Sequence, residues 1–149
     1  MLPERKKLPH NVPPWVPDGA IFFITICCKH RGIDQLCTKG IADGIFETVE
    51  FRQQDGSWFV HLMLLMPDHI HALVAFPRDR SMKSTIAQWK EHTAKKLGIR
   101  WQRDFFDHRL RREESYTEKA HYIRQNPIRK GLVKEPAQWP FVWEPSRDK

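Results

Sequence analysis

The chain predicts an α+β fold: a ferredoxin-like βαββαβ sandwich with an antiparallel sheet, plus one additional C-terminal helix. Two observations carry that reading. Apolar, β-rich runs alternate with stretches of helical spacing in the order strand, helix, strand, strand, helix, strand, helix. The second and third strands are separated only by Pro67 and Asp68, a connection short enough to demand an antiparallel hairpin. A length of 149 residues fits one domain, with residues 1–19 as an extended Pro-rich arm and 135–149 as an irregular tail.

The arm, "MLPERKKLPHNVPPWVPDG", holds five prolines and no periodicity. "AIFFITICCKH" follows, β-branched and aromatic, as a strand buried on both faces. Over 39–53, Ile41, Ile45 and Val49 recur at helical spacing, with Phe46 beside them, so a helix is expected despite Gly44. A "QDGS" turn leads to the strands "WFVHLMLLMP" and "HIHALVAF". In "SMKSTIAQWKEHTAKKLG", Met82, Ile86, Trp89, Thr93 and Leu97 step by three or four, and Gly98 stands where a helix ends. "RWQRDFFDHRLR" supplies the fourth strand. Ser115 and Glu118 read as a capping box opening the last helix, "YTEKAHYIRQ", which Pro127 stops or kinks. The tail, with two tryptophans and three prolines, is expected to pack as an irregular cover.

The net charge is +7 and the sequence pI about 9.5, which favours a polyanionic partner. The excess is concentrated between Arg78 and Lys134, where the net charge is +9 against −2 for the remainder. Cys27, Cys28 and Cys37 are odd in number and lack C-x-x-C spacing, against both a disulfide framework and a zinc finger. No apolar run approaches the roughly 20 residues that span a bilayer, and the N-terminus lacks the apolar segment of a signal peptide. The expectation is a cytoplasmic protein with reduced thiols and no membrane partner.

Two constellations bear on chemistry. On a strand, residues two apart share a face, so His69 and His71 project side by side and can grip one divalent ion. Spacing alone is equally compatible with two core imidazoles satisfied by hydrogen bonds. Tyr122 and Asn126, four apart, share one face of the last helix, where the bland alternatives are a packing tyrosine and a turn-forming Asn before Pro.

Together "MPDHIHALV", "WQRDFFDHRLR" and "YIRQNPIRKGLV", in this order and separation, resemble the REP-associated tyrosine transposases, relatives of the single-tyrosine HUH transposases of small insertion sequences. The likeness spans roughly residues 18 to 143. It implies that His69 and His71 hold a divalent cation, Mg²⁺ or Mn²⁺, and that Tyr122 is the nucleophile. It also places Asn126 where many such enzymes carry a glutamine as third ligand. Asn is shorter and adjoins Pro127, so Gln125 stands as the fallback, although it is turned about 100° around the helix. The implied reaction is cleavage and transfer of single-stranded DNA, at hairpin-forming repeats, through a 5′-phosphotyrosine and a free 3′-hydroxyl. Such a reaction needs no ATP, and the chain has no phosphate-binding glycine loop.

Phosphate contacts are expected from Lys83, Lys90, Arg103, Arg109, Arg111, Arg112, Arg124, Arg129 and Lys130. Trp89 and Trp101 offer faces for base stacking, although the spacing of Trp89 makes it primarily core. Among His61, His92, His108 and His121 none is nominated as a base; His121 adjoins Tyr122 but points about 100° away. Asp68 is read as pointing to the opposite strand face from His69, which disfavours a hydrolase built on the His pair. The competing reading is a non-catalytic nucleic-acid-binding module, for which fold and charge suffice. The absence of an extended helix pattern beyond "NPIRKGLV" tilts the expectation to a monomer with Tyr122 acting in cis.

Overall fold

In the computed structural model, residues 14–16, 19–111 and 113–146 are described; most of the expected N-terminal arm and Arg112 lie outside them. The elements are β1 (Ile21–Cys27), α1 (Lys39–Gln54), β2 (Phe59–Met66), β3 (His69–Ala75), α2 (Met82–Leu97), β4 (Phe106–Arg109), α3 (Glu113–Arg129) and β5 (Val142–Trp143). They form one antiparallel sheet in the order β4-β1-β3-β2-β5. Its first four strands have the order expected of the βαββαβ arrangement.

Alternation along the strands divides the interior in two. Ile24 and Ile26 of β1 and Ile70, Ala72 and Val74 of β3 face α1 and α2, against Ile45, Val49, Ile86 and Trp89. Phe23 and Leu73 face the other way, against Ile123 of α3. A β-bulge between Val60 and Leu62 shifts the register of β2, so Val60, Met63 and Leu65 join the first core while Leu62, Leu64 and Met66 join the second. The sheet is therefore sandwiched, with α1 and α2 on one side and α3 on the other.

Local chemistry explains the helix limits. Ser81 caps α2 by accepting from the Ser84 N–H at 3.2 Å, and Gly98 ends it at φ +73°, a conformation that favours glycine. Gly44 lies within α1, where an added Cβ would come 2.6 Å from Leu97 Cδ2, so its bareness lets α1 approach α2. Trp89 is fully buried between these helices and donates Nε1–H to Thr48 Oγ1 at 2.8 Å.

Three expectations are corrected. The helix α3 already begins at Glu113, so Ser115 lies inside it rather than at its cap. Pro127 does not stop α3; it sits in the last turn, and the helix closes beyond it through Leu132 N–H to Pro127 O and Gly131 N–H to Ile128 O, both 2.9 Å. The tail is not wholly irregular. After a 3-10 turn at Pro136–Gln138 it adds β5 to the edge of β2, pairing Val142 with Leu64 and Trp143 with Met63.

Candidate active site

His69 and His71 both project from β3 toward α3, because they share the parity of Leu73, and their ring centroids lie 4.8 Å apart. Both are buried, at 8 % and 9 % exposure. Burial holds each imidazole below its usual pKa, His71 at about 3, with the neighbouring His69 adding to that shift. Both rings are neutral near pH 7, the form that ligates metals.

Each ring is also oriented by a partner. His69 Nδ1 lies 2.7 Å from Asp68 Oδ1. Burial alone would raise the Asp68 pKa, but the Gly32 N–H at 2.7 Å, His69, and the Arg31 Nε–H at 2.9 Å together hold it well below the usual carboxylate range. An ionised carboxylate only accepts, so His69 Nδ1 must donate, which leaves its Nε2 as the lone pair. His71 Nδ1 lies 3.1 Å from Thr25 Oγ1, and where that hydroxyl accepts, Nε2 of His71 is left in the same way. Metal-binding histidines are held in this manner, by a carboxylate or hydroxyl on the far nitrogen.

Asp68 thus corrects the sequence reading. It belongs to the two-residue turn between β2 and β3, not to the strand, so strand alternation does not fix its side chain. The Asp-His adjacency was the available signal. Thr25 had none, being 46 residues away and brought to His71 by the β1/β3 register.

Tyr122 lies on the sheet side of α3 and is 47 % exposed. Its ring meets Phe23 edge-on at 6.3 Å, and Phe23 stacks on His71 at 5.5 Å, so one aromatic ring connects the tyrosine to the histidines. The Arg129 guanidinium sits 4.2 Å from the Tyr122 ring centroid and donates to the Tyr122 carbonyl at 2.9 Å. Lys119 Nζ is 5.5 Å from the same ring. Asn126, 6 % exposed, shares the sheet-facing side of α3 with Ile123, whereas Gln125 is only half-buried.

The basic candidates separate. Arg129 and Lys130 are exposed at the end of α3 beside Tyr122, and Lys130 lies near enough to His69 to depress its pKa. Arg103, Arg109 and Arg111 are exposed on and around β4. Arg124 pairs with Glu144 of the tail. Lys83 is exposed on α2, across the sheet from Tyr122. Lys90, also on α2, donates to the carbonyls of Gln102 at 2.6 Å and Arg103 at 2.9 Å, a contact that braces the chain before β4. Trp89 is core, and Trp101, half-buried against it, donates to Thr93 Oγ1 at 2.9 Å.

The donor set fits a divalent ion. Among the described residues no group of three or more His, Cys, Asp or Glu is placed to hold one. The neutral imidazoles of His69 and His71 supply two nitrogen donors of the kind a divalent ion takes, a partial shell open to further oxygens.

Residues 20–126 match the family model described as "Transposase IS200 like". A putative REP-associated tyrosine transposase of Haemophilus influenzae is 30 % identical over 147 residues, covering 83 % of this chain and 78 % of that protein. The REP-associated tyrosine transposase of Escherichia coli is 25 % identical over 126 residues, covering 83 % and 75 %. Among solved structures, a REP-associated tyrosine transposase bound to a REP hairpin superposes with a TM-score of 0.73 at 23 % identity, covering 95 % of this chain and 82 % of that one. A putative transposase from Deinococcus radiodurans superposes with a TM-score of 0.54 at 16 % identity, covering 81 % and 97 %.

Proposed function

The chain belongs to the IS200-like transposases, among the REP-associated tyrosine transposases, DNA-cleaving enzymes, and from that premise we propose that it cuts and transfers single-stranded DNA through Tyr122. The observation that carries the proposal is the joining of Tyr122 to His71 through the Phe23 ring, on the one face of the sheet that also holds His69.

In this reading His69, His71 and Asn126 hold a divalent ion, Mg²⁺ or Mn²⁺, which when bound polarises the scissile phosphate. Asp68 and Thr25 fix the ring orientations. Tyr122 Oη forms a bond to phosphorus as the bond to the 3′ oxygen breaks. The phenol proton is lost to the surroundings, and the departing oxygen takes one up as a free 3′-hydroxyl. Attack by a 3′-hydroxyl on the 5′-phosphotyrosine reverses the step, so the phosphodiester bond is conserved without a nucleotide cofactor. Arg129 and Lys130 lie where they can neutralise the phosphates that flank the cut.

The substrate in this reading is single-stranded DNA at hairpin-forming repeats, supported by the REP hairpin bound to the structural relative. One chain acts alone with its tyrosine in cis, since Phe23 touches both Tyr122 and His71 of the same chain.

The test is incubation with single-stranded oligonucleotides carrying the hairpin repeats that flank the protein's own gene, with Mg²⁺ or with a chelator. A covalent protein–DNA adduct is expected with Mg²⁺ only. Tyr122→Phe should abolish the adduct and retain binding; an adduct that persists in this variant refutes the assignment.

A further inference from the structure

Phe106 opens β4 and is 60 % exposed, whereas Phe105 beside it packs on the core behind the sheet. In the antiparallel register Phe106 stands opposite Thr25, and Thr25 opposite His71. Directly opposed residues share a face, so Phe106, Thr25 and His71 form one row across the sheet on the Tyr122 side. Two strand spacings put Phe106 about 10 Å from His71.

The edge that presents this ring is firmly held. The segment before β4 is anchored by Lys90, by Lys29 N–H to Arg100 O and Gln102 N–H to Cys27 O, both 2.8 Å, and by a bridge between Cys28 and Trp101. Exposed Arg103 and Arg111 lie along the chain on either side of the strand that carries the ring, while Arg109, opposite Phe22, alternates to the other face. A fixed aromatic face among cations suits a base attached to phosphates better than an apolar peptide.

We propose that Phe106 is a stacking platform for one base of the single strand beside the scissile phosphate, a specificity subsite at the open edge of the sheet. The inference rests on the strand-cleavage reading above. Phosphate held in the histidine row leaves the adjoining nucleotide to reach across Thr25 to the ring. Stacking accepts any base in principle, so this subsite would fix where the strand lies and add a preference for bases that stack well.

The experiment places 2-aminopurine at each position in turn across the cut site of the hairpin oligonucleotide and follows its fluorescence on binding to Tyr122→Phe protein. Quenching at one position is expected with Phe106 or Phe106→Tyr, and its loss with Phe106→Ala or Phe106→Leu. Affinity for the tailed hairpin should fall about 10- to 100-fold in Phe106→Ala, with binding of the bare hairpin stem and the melting temperature unchanged. Quenching that survives in Phe106→Ala, or full recovery by Phe106→Leu, overturns the platform. Adduct formation by the Tyr122 protein in parallel separates the two failures: with adduct present, only the platform falls, and with none on any oligonucleotide, the cleavage reading falls first.

Discussion

Replacing Asp68 separates two kinds of support for His69. The carboxylate Oδ2 accepts from Arg31 Nε and from the Gly32 N–H, and Oδ1 faces His69 Nδ1. In Asp68→Ala the ring loses its orienting partner, and removing the group that holds a ligating histidine weakens metal binding about 10- to 100-fold. Asp68→Asn should be worse. Its single oxygen is required at the Oδ2 position, where two donors converge, so its NH₂ group turns toward His69 Nδ1. That nitrogen must then accept, the proton moves to Nε2, and the nitrogen proposed to ligate is blocked. We expect Mn²⁺ affinity to fall about 10-fold in the alanine variant and about 100-fold in the asparagine variant, roughly 1.4 and 2.8 kcal/mol. Titration of Mn²⁺ by electron paramagnetic resonance measures affinity, and adduct yield against metal concentration should recover at high Mn²⁺. Asparagine binding Mn²⁺ as well as aspartate, or better than alanine, would refute the tautomer argument.

Two further predictions follow from side chains whose surroundings are equally specific. Lys90→Met should leave the slope of log affinity for DNA against log salt unchanged, because its ammonium is engaged by main-chain carbonyls, whereas Arg129→Met should reduce the slope by about 1; equal changes in both slopes would show Lys90 on DNA. Burial raises Cys28 and Cys37 from 9.0 to about 12, so below pH 9 both thiols are protonated in either state and stability is complete. Above pH 9 the unfolded chain ionises first, and stability falls as pH rises toward 12, by at most about 2 kcal/mol per thiol at pH 10.5. Urea denaturation at pH 8.5 and 10.5 measures this, and an equal loss in a Cys28→Ala, Cys37→Ala protein would assign it to other groups.

The elements that repeat along the chain were legible because periodicity reports burial directly. The stepping of Ile86, Trp89 and Thr93 placed α2, and the alternation around His69 and His71 placed β3 with the right residues on one face. Contacts made by a neighbour in space were not legible. Gly44 weakens a helix until Leu97 is seen against it, and the tail reads as irregular until β2 offers an edge. Lys90 reads as a free cation because nothing local reveals three carbonyls turning toward it. Asp68 was misassigned for a narrower reason: the strand rule was extended one residue into a turn, where it has no force.

That turn has a consequence for the order in which the molecule becomes competent. Pro67 and Asp68 set the register of the β2/β3 hairpin, and Asp68 also orients the first imidazole, so both histidines and the carboxylate lie within four residues of one another. Tyr122 is encoded fifty-one residues after His71 and reaches it only when α3 docks on the far side of the sheet. During synthesis the N-terminal parts emerge first. A nascent chain that has progressed only through β3 carries the residues proposed to hold the ion without the proposed nucleophile, and in that reading the capacity to break DNA arrives only with the docking of α3.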